Sequence, residues 1–260
     1  MKNIKLLLGA LVALSGVASA NAITASSYDL ILGFSRTSGA GNATSLEVNL
    51  GSAASLVTAS NGSEITLAGL SVLDLQNFGA GSLWQNSTTT WGVAGTSDGG
   101  EATLSPLWGT VKTGLLVGTP GANQGTPSNK IIGIYGDLST QASTANSTSA
   151  VLVANAGNTN AWKNASASGF SYAPWNGKLT QTTNALLTTA FESAELYKFN
   201  AVGNGATADL LGTFKLYQDG HLTFAAAVIP EPSTYAALLG AACLGVAMLR
   251  RRRQQAMDLV

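Results

Sequence analysis

The chain has 260 residues, only 10% of them charged, with thirteen basic and thirteen acidic side chains, one cysteine and one histidine. One cysteine excludes an internal disulfide framework, and one histidine argues against multi-histidine metal centres and leaves His221 as the sole imidazole base for nucleophilic catalysis. Six of the thirteen basic residues (Lys2, Lys5, Arg250, Arg251, Arg252 and Arg253) and two acidic ones (Glu231, Asp258) lie in the two ends, so residues 21–228 carry seven basic against eleven acidic groups, a balance of −4 that makes this part a poor candidate for binding nucleic acid or anionic lipid.

In chain order, Met1-Lys2-Asn3-Ile4-Lys5 is a positive leader, Leu6 to Val17 an apolar run, and Ala18-Ser19-Ala20 a small-residue cleavage site. Residues 1–20 are therefore expected to be a signal peptide cut after Ala20, with Ala20-Asn21-Ala22 as a second candidate. Tyr28 to Phe34 and Ser45 to Leu50 are strand-like runs joined by Ser38-Gly39-Ala40-Gly41-Asn42, which predicts a hairpin. Ser71 to Gly79 predicts one or two helical turns, with Ser71 as N-cap and Gly79 as the stop. Thr88 to Ala94 and Leu107 to Val111 read as strands around the turn cluster Gly95 to Gly100. Lys130 to Ala154 fits a polar helix or a loose loop, and Asn155 to Ser171 reads as irregular.

The pattern sharpens again at Glu195 to Phe199 and at Leu211 to Tyr217, followed by Asp219-Gly220 and His221 to Ala225. Asp-Gly between apolar-rich runs predicts a tight hairpin of type I′. The expected exported part, residues 21–228, is thus mainly β: an antiparallel, sandwich-like domain with one or two short helices.

The C-terminus differs in kind. Pro230-Glu231-Pro232 biases Ile229 and Glu231 toward extended backbone, because each proline disfavours the α region for the residue before it. Tyr235 to Leu249 is an uncharged run of about 22 Å if helical, a short span for a hydrocarbon core of about 30 Å. Arg250, Arg251, Arg252 and Arg253 then supply a stop-transfer cluster, which predicts a single transmembrane helix over 235–249 with residues 254–260 in the cytoplasm. The single cysteine, Cys243, falls inside that run.

Pro-Glu-Pro-Ser-Thr, a short apolar helix and an arginine cluster, in that order and position, resemble the PEP-CTERM sorting domain. The Leu210-Leu211-Gly212-Thr213-Phe214 and Asp219-Gly220-His221-Leu222-Thr223-Phe224 hairpin leading into Pro230 also resembles members of that group. The resemblance covers about 30 residues, 229–253 and their surroundings. It implies recognition at Pro230, Glu231 and Pro232 by an exosortase, a membrane enzyme with a cysteine nucleophile. It further implies a Gram-negative, exopolysaccharide-making cell, transient anchoring in the inner membrane and delivery to the surface or extracellular matrix.

Few residues suggest chemistry. Among carboxylates, Asp98 with Glu101 and Glu192 with Glu195 are the nearest to a glycosidase pair, and Asp98 with Glu101 the nearest to a calcium site. Trp84, Trp91, Trp108, Trp162 and Trp175 could pack a β core or stack on sugar rings, with Trp175, beside Pro174 and Asn176-Gly177, the best candidate for glycan contact. Sequons at Asn42, Asn61, Asn86, Asn146 and Asn164 are expected chance matches in a chain rich in Asn, Ser and Thr. No cofactor and no metal are expected, and the chain reads as non-enzymatic. The alternatives are an extracellular carbohydrate-binding module and, behind it, an extracellular glycosidase.

Overall fold

Strand β1, Asp29–Arg36, is buried at seven of its eight positions, so it has no solvent face. Alternate side chains of a strand point to opposite faces. Leu30, Leu32 and Phe34 enter one apolar cluster and Ile31 another, so both faces of the sheet are covered at this strand. The computed structural model describes residues 23–79, 81–85, 88–97, 106–112, 125–141, 143–144, 147–168, 181–182, 190–199, 208–228 and 239–250.

The other strands are β2 (Thr44–Ser52), β3 (Glu64–Leu67), β4 (Thr89–Thr96), β5 (Leu107–Lys112), β6 (Ala150–Ala154), β7 (Gln181–Thr182), β8 (Phe191–Phe199), β9 (Ala208–Tyr217) and β10 (Leu222–Ala226). They form one sheet in the order β3-β10-β9-β8-β5-β4-β1-β2-β6, with β7 attached to β4. The pairings are antiparallel. Two packed sheets were expected, and one curled sheet is found. Alternation records only that one face is buried, and a sheet curling over its own inner face satisfies it as well as a sandwich does.

The curl gathers Leu46, Trp91, Trp108, Leu196, Phe214 and Phe224, from six strands, into a single inner cluster. It also brings the flanks of the edge strands together: Ser147 Oγ donates to Gly69 O at 3.0 Å. Helix α1, Ala53–Ser60, contacts β2, β3 and β10 and buries Leu56 in the inner cluster. Ser52 caps it by accepting from Ser55 N, and Asn61 ends it in the left-handed region.

Helix α2, Val72–Gly79, lies at the expected place, with Ser71 Oγ accepting from Leu73 N at 3.2 Å. It runs from the β9–β10 turn, where a Cβ on Gly220 would lie 3.0 Å from Leu75 and 3.1 Å from Val72, to the β1–β2 turn, where a side chain on Gly41 would meet Phe78 O at 2.3 Å. Gly79 is required by contact: a Cβ there would lie 2.4 Å from the backbone nitrogen of Trp84, in the 3-10 turn Ser82–Gln85.

On the outer face, helices α3 (Gly125–Thr140) and α4 (Trp162–Ser168) cover the β1–β4 and β2–β6 region. The Trp162 ring sits on Gly33, where a Cβ would come within 1.8 Å of it. Tyr135 of α3 pins the layer by donating to Asp29 O at 2.7 Å and accepting from Thr96 N at 2.9 Å.

Several local expectations are corrected. Residues 130–154 hold both the end of α3 and strand β6, and α4 stands in a stretch read as irregular. The β9–β10 turn is not type I′. Only Gly220 takes positive φ (88°), its N–H donates to Tyr217 O at 2.9 Å, and Tyr217 N donates to His221 O at 3.0 Å. That is the longer loop in which the glycine forms a bulge, and it places the left-handed residue where glycine already stands.

Candidate functional site

The residues singled out from sequence do not converge. Trp84, Trp91, Trp108 and Trp162 are buried in the two clusters, while Trp175 lies outside the described residues. Glu192 and Glu195 are three apart on β8, and so project from opposite faces. Glu192 is buried and accepts from Trp91 Nε1 at 2.8 Å; Glu195 accepts from Tyr197 OH at 2.8 Å on the other side. A pair flanking one glycosidic bond needs both carboxyls on one face.

Asp98 and Glu101 lie outside the described residues, as do Ala18 and Ala20 of the expected signal-peptide site and Pro230, Glu231 and Pro232 of the expected sorting motif. Of the expected stop-transfer cluster, Arg250 is described, at the end of a helical stretch, whereas Arg251, Arg252 and Arg253 lie outside the described residues. His221 is a half-buried residue at the end of the turn, whose Nδ1 lies 2.5 Å from Asp219 Oδ1 and whose ring stacks on Tyr217 at 4.0 Å. Among the described residues no group of three or more His, Cys, Asp or Glu side chains could hold a metal.

Three other features carry polar chemistry. The first is a cavity of about 450 Å³ at the seam of the curl, lined by Thr24, Asn49, Gly51, Gly69, Thr148 and Ser149 among others, with no charged residue in its wall among the described residues. Asn49 is fixed there: its Nδ2 donates to Thr24 O and Asp29 Oδ2, both at 3.0 Å, and its Oδ1 accepts from Gly51 N at 2.8 Å.

The second is a ladder on the open outer face of β3, β9 and β10. Glu64 accepts from Lys215 Nζ (2.6 Å), Tyr217 OH (2.8 Å) and Thr223 Oγ1 (2.5 Å). Those donors, Lys215 foremost, hold its carboxyl down to about 2. Lys215 also stands 5.1 Å from the centroid of Phe191, which packs on Tyr217 at 5.4 Å. The aromatic face on this side is thus already occupied by the protein's own side chains.

The third is a buried polar layer under α4. Glu47 Oε1 accepts from Trp162 N at 2.7 Å, and Ser45 Oγ accepts from Lys163 N at 3.0 Å while donating to Asn155 Oδ1 at 2.7 Å. Burial pushes Glu47 up to about 8, the Trp162 hydrogen bond opposes that rise, and the nearby Asp137 carboxylate adds to it. Neither Glu47 nor the fully buried Asp74 of α2 was a sequence candidate. Ser45-Leu46-Glu47-Val48-Asn49 alternates as a half-exposed strand should, and nothing local says that a helix about 115 residues later covers its polar face.

At the C-terminus, residues 239–250 are helical. Leu239, Leu244, Val246, Met248 and Leu249 are 53–69% exposed, so this stretch is seated on neither apolar cluster. Among the described residues no helix is long and apolar enough to cross a membrane.

The described residues therefore define a single curled antiparallel sheet, capped and covered by short helices. No protein-family model matches the chain, and no curated protein and no solved structure matches it.

Proposed function

We propose that the chain is an exported surface or extracellular-matrix protein of a Gram-negative cell, sorted through its C-terminus and without enzymatic activity. The observation that carries this reading is the ordered triplet Pro230-Glu231-Pro232, the apolar run Tyr235 to Leu249, and the cluster Arg250-Arg251-Arg252-Arg253. The exposed apolar side chains of residues 239–250 support it, since a helix that offers Leu, Val and Met outward and avoids the core suits a lipid environment. In this reading Ala18 and Ala20 mark signal-peptide cleavage, an exosortase acts at Pro230 to Pro232, the inner membrane holds the anchor transiently, and the domain joins an exopolysaccharide matrix.

The test is mass spectrometry of the tagged chain from cells with and without an exosortase. The C-terminal peptide is expected to be lost only in the first, and Pro230→Ala with Pro232→Ala is expected to restore it. Equal retention in both cells overturns the sorting reading.

A second reading, a carbohydrate-binding module, is favoured by the seam cavity. An uncharged wall of amide, hydroxyl and backbone groups suits a neutral polyhydroxylated ligand, and about 450 Å³ falls within the range of small-ligand pockets. Retention on neutral polysaccharide, compared with Asn49→Ala and Trp175→Ala, tests it; undiminished retention in Asn49→Ala removes the cavity from consideration.

A further inference from the structure

Glu47 is fully buried on the outer face of β2, yet it is an acid. Its Oε1 receives the backbone N–H of Trp162, the first residue of α4, while its Oε2 is buried with no hydrogen-bond partner among the described residues. An ionised carboxylate so placed would lack the two or more donors that stabilise buried anions. Its cross-strand neighbours are Gly33 on β1 and Val151 on β6, neither of which titrates.

Among the described residues, the charged groups of the helices over β2 are a like charge or are engaged elsewhere. From α3, Asp137 adds a like charge and is itself engaged by Asn158 Nδ2 at 2.6 Å. Also from α3, Lys130 Nζ donates to Thr159 O at 3.4 Å. From α4, Lys163 Nζ is engaged by Asn42 through its carbonyl and side-chain oxygens. The 155–161 loop contributes Asn155, Asn158 and Asn160, all uncharged.

What Glu47 holds is a short helix. Helix α4 has seven residues, seated by the Trp162 ring in the Gly33 notch, by the buried Ala165, by two N–H bonds to Glu47 and Ser45, and by the side chains of Lys163 on Asn42 and of Asn164 on the carbonyls of Asn155 and Asn158. We propose that Glu47 is a pH-sensitive latch for α4: protonated, it keeps the helix on the sheet, and deprotonated, it favours release of α4 and exposure of the Gly33 notch.

Glu47 ionises far more easily in the open form, so opening is least below the ordinary glutamate range, increases about tenfold per pH unit up to about 8, and levels off above it. Hydrogen exchange on the full chain in detergent reads this at the Trp162 and Lys163 amides, corrected for intrinsic rates. Their protection is expected to fall about tenfold per unit between roughly pH 5 and 8, with a weaker denaturant dependence than the β8–β9 amides. Glu47→Gln is expected to give a flat profile.

A flat wild-type profile, an unchanged slope in Glu47→Gln, or α4 amides matching β8–β9 in both protection and denaturant dependence would overturn the latch. Should Glu47→Gln not fold, Asp137→Asn serves instead: removing the like charge is expected to move the levelling point to lower pH, and an unmoved point overturns the proposal.

Discussion

Glu47 on β2 and Glu64 on β3 both project from the outer face of one sheet, and their carboxyls are displaced in opposite directions. Glu64 has three donors and an open face, and titrates near 2. Glu47 has one donor and a helix over it, and titrates near 8. The difference lies in what covers the strand rather than in the strand itself, since both residues sit in alternating segments of ordinary composition. A covering layer converts a solvent-facing position into a buried one, and the charge must then be paired or given up.

The comparison is broken most severely by removing the cover. Trp162→Ala vacates the Gly33 notch under α4 and is expected to cost about 3–5 kcal/mol in denaturant-unfolding free energy, as for other buried aromatics. Glutamine at position 47 sharpens it instead. Because the folded pKa is raised, the stabilisation is complete below about 4.5 and is lost as pH rises toward 8, so wild-type stability is expected to fall by about 1.4 kcal/mol per pH unit across that window. In Glu47→Gln that slope should disappear, which urea titrations at pH 5, 6, 7 and 8 will read directly. Gly33→Ala keeps the tryptophan but sets a methyl within 1.8 Å of its ring; an overpacking cost of about 1–3 kcal/mol is expected in the same assay.

The same two regions mark where the fold was readable from sequence. The β1–β2 hairpin, α2 with its Ser71 cap and Gly79 stop, β4, β5 and the β9–β10 hairpin were legible because their periodicity and turn residues are local signals. The covering layer was not. Helix α4 is Trp-Lys-Asn-Ala-Ser-Ala-Ser, which has little helical pattern of its own and is held by contacts with Gly33, Ser45 and Glu47 more than a hundred residues away. Strand β6 is the short Ala-Val-Leu-Val-Ala, which a helix could equally have used, and its pairing with β2 decides the matter. Glu192 and Glu195 failed as a pair for an equally plain reason: spacing that shares a helix face divides a strand. Trp84, Trp91 and Trp108 became core residues because the sheet curls over its inner face, and Trp162 because α4 seats it on the outer one.

The smallest effect is expected at the open end of the comparison. Glu64→Gln removes the charge and the oxygen that Lys215 engages, while the glutamine oxygen can still accept from Tyr217 and Thr223, and the partly exposed Lys215–Glu64 pair is screened by water and salt. A loss below about 1 kcal/mol at pH 7 is therefore expected, shrinking as salt is raised. The pH window is the reverse of that for Glu47: a lowered folded pKa gives stability that is complete above about 4.5 and lost as pH falls toward 2. Wild type and Glu64→Gln should thus converge in acid and separate toward neutrality, whereas wild type and Glu47→Gln diverge toward alkaline pH. A Glu64→Gln difference that persists undiminished at pH 2, or that is insensitive to salt, would mean that the network acts by packing β3 onto β10 rather than through its charge.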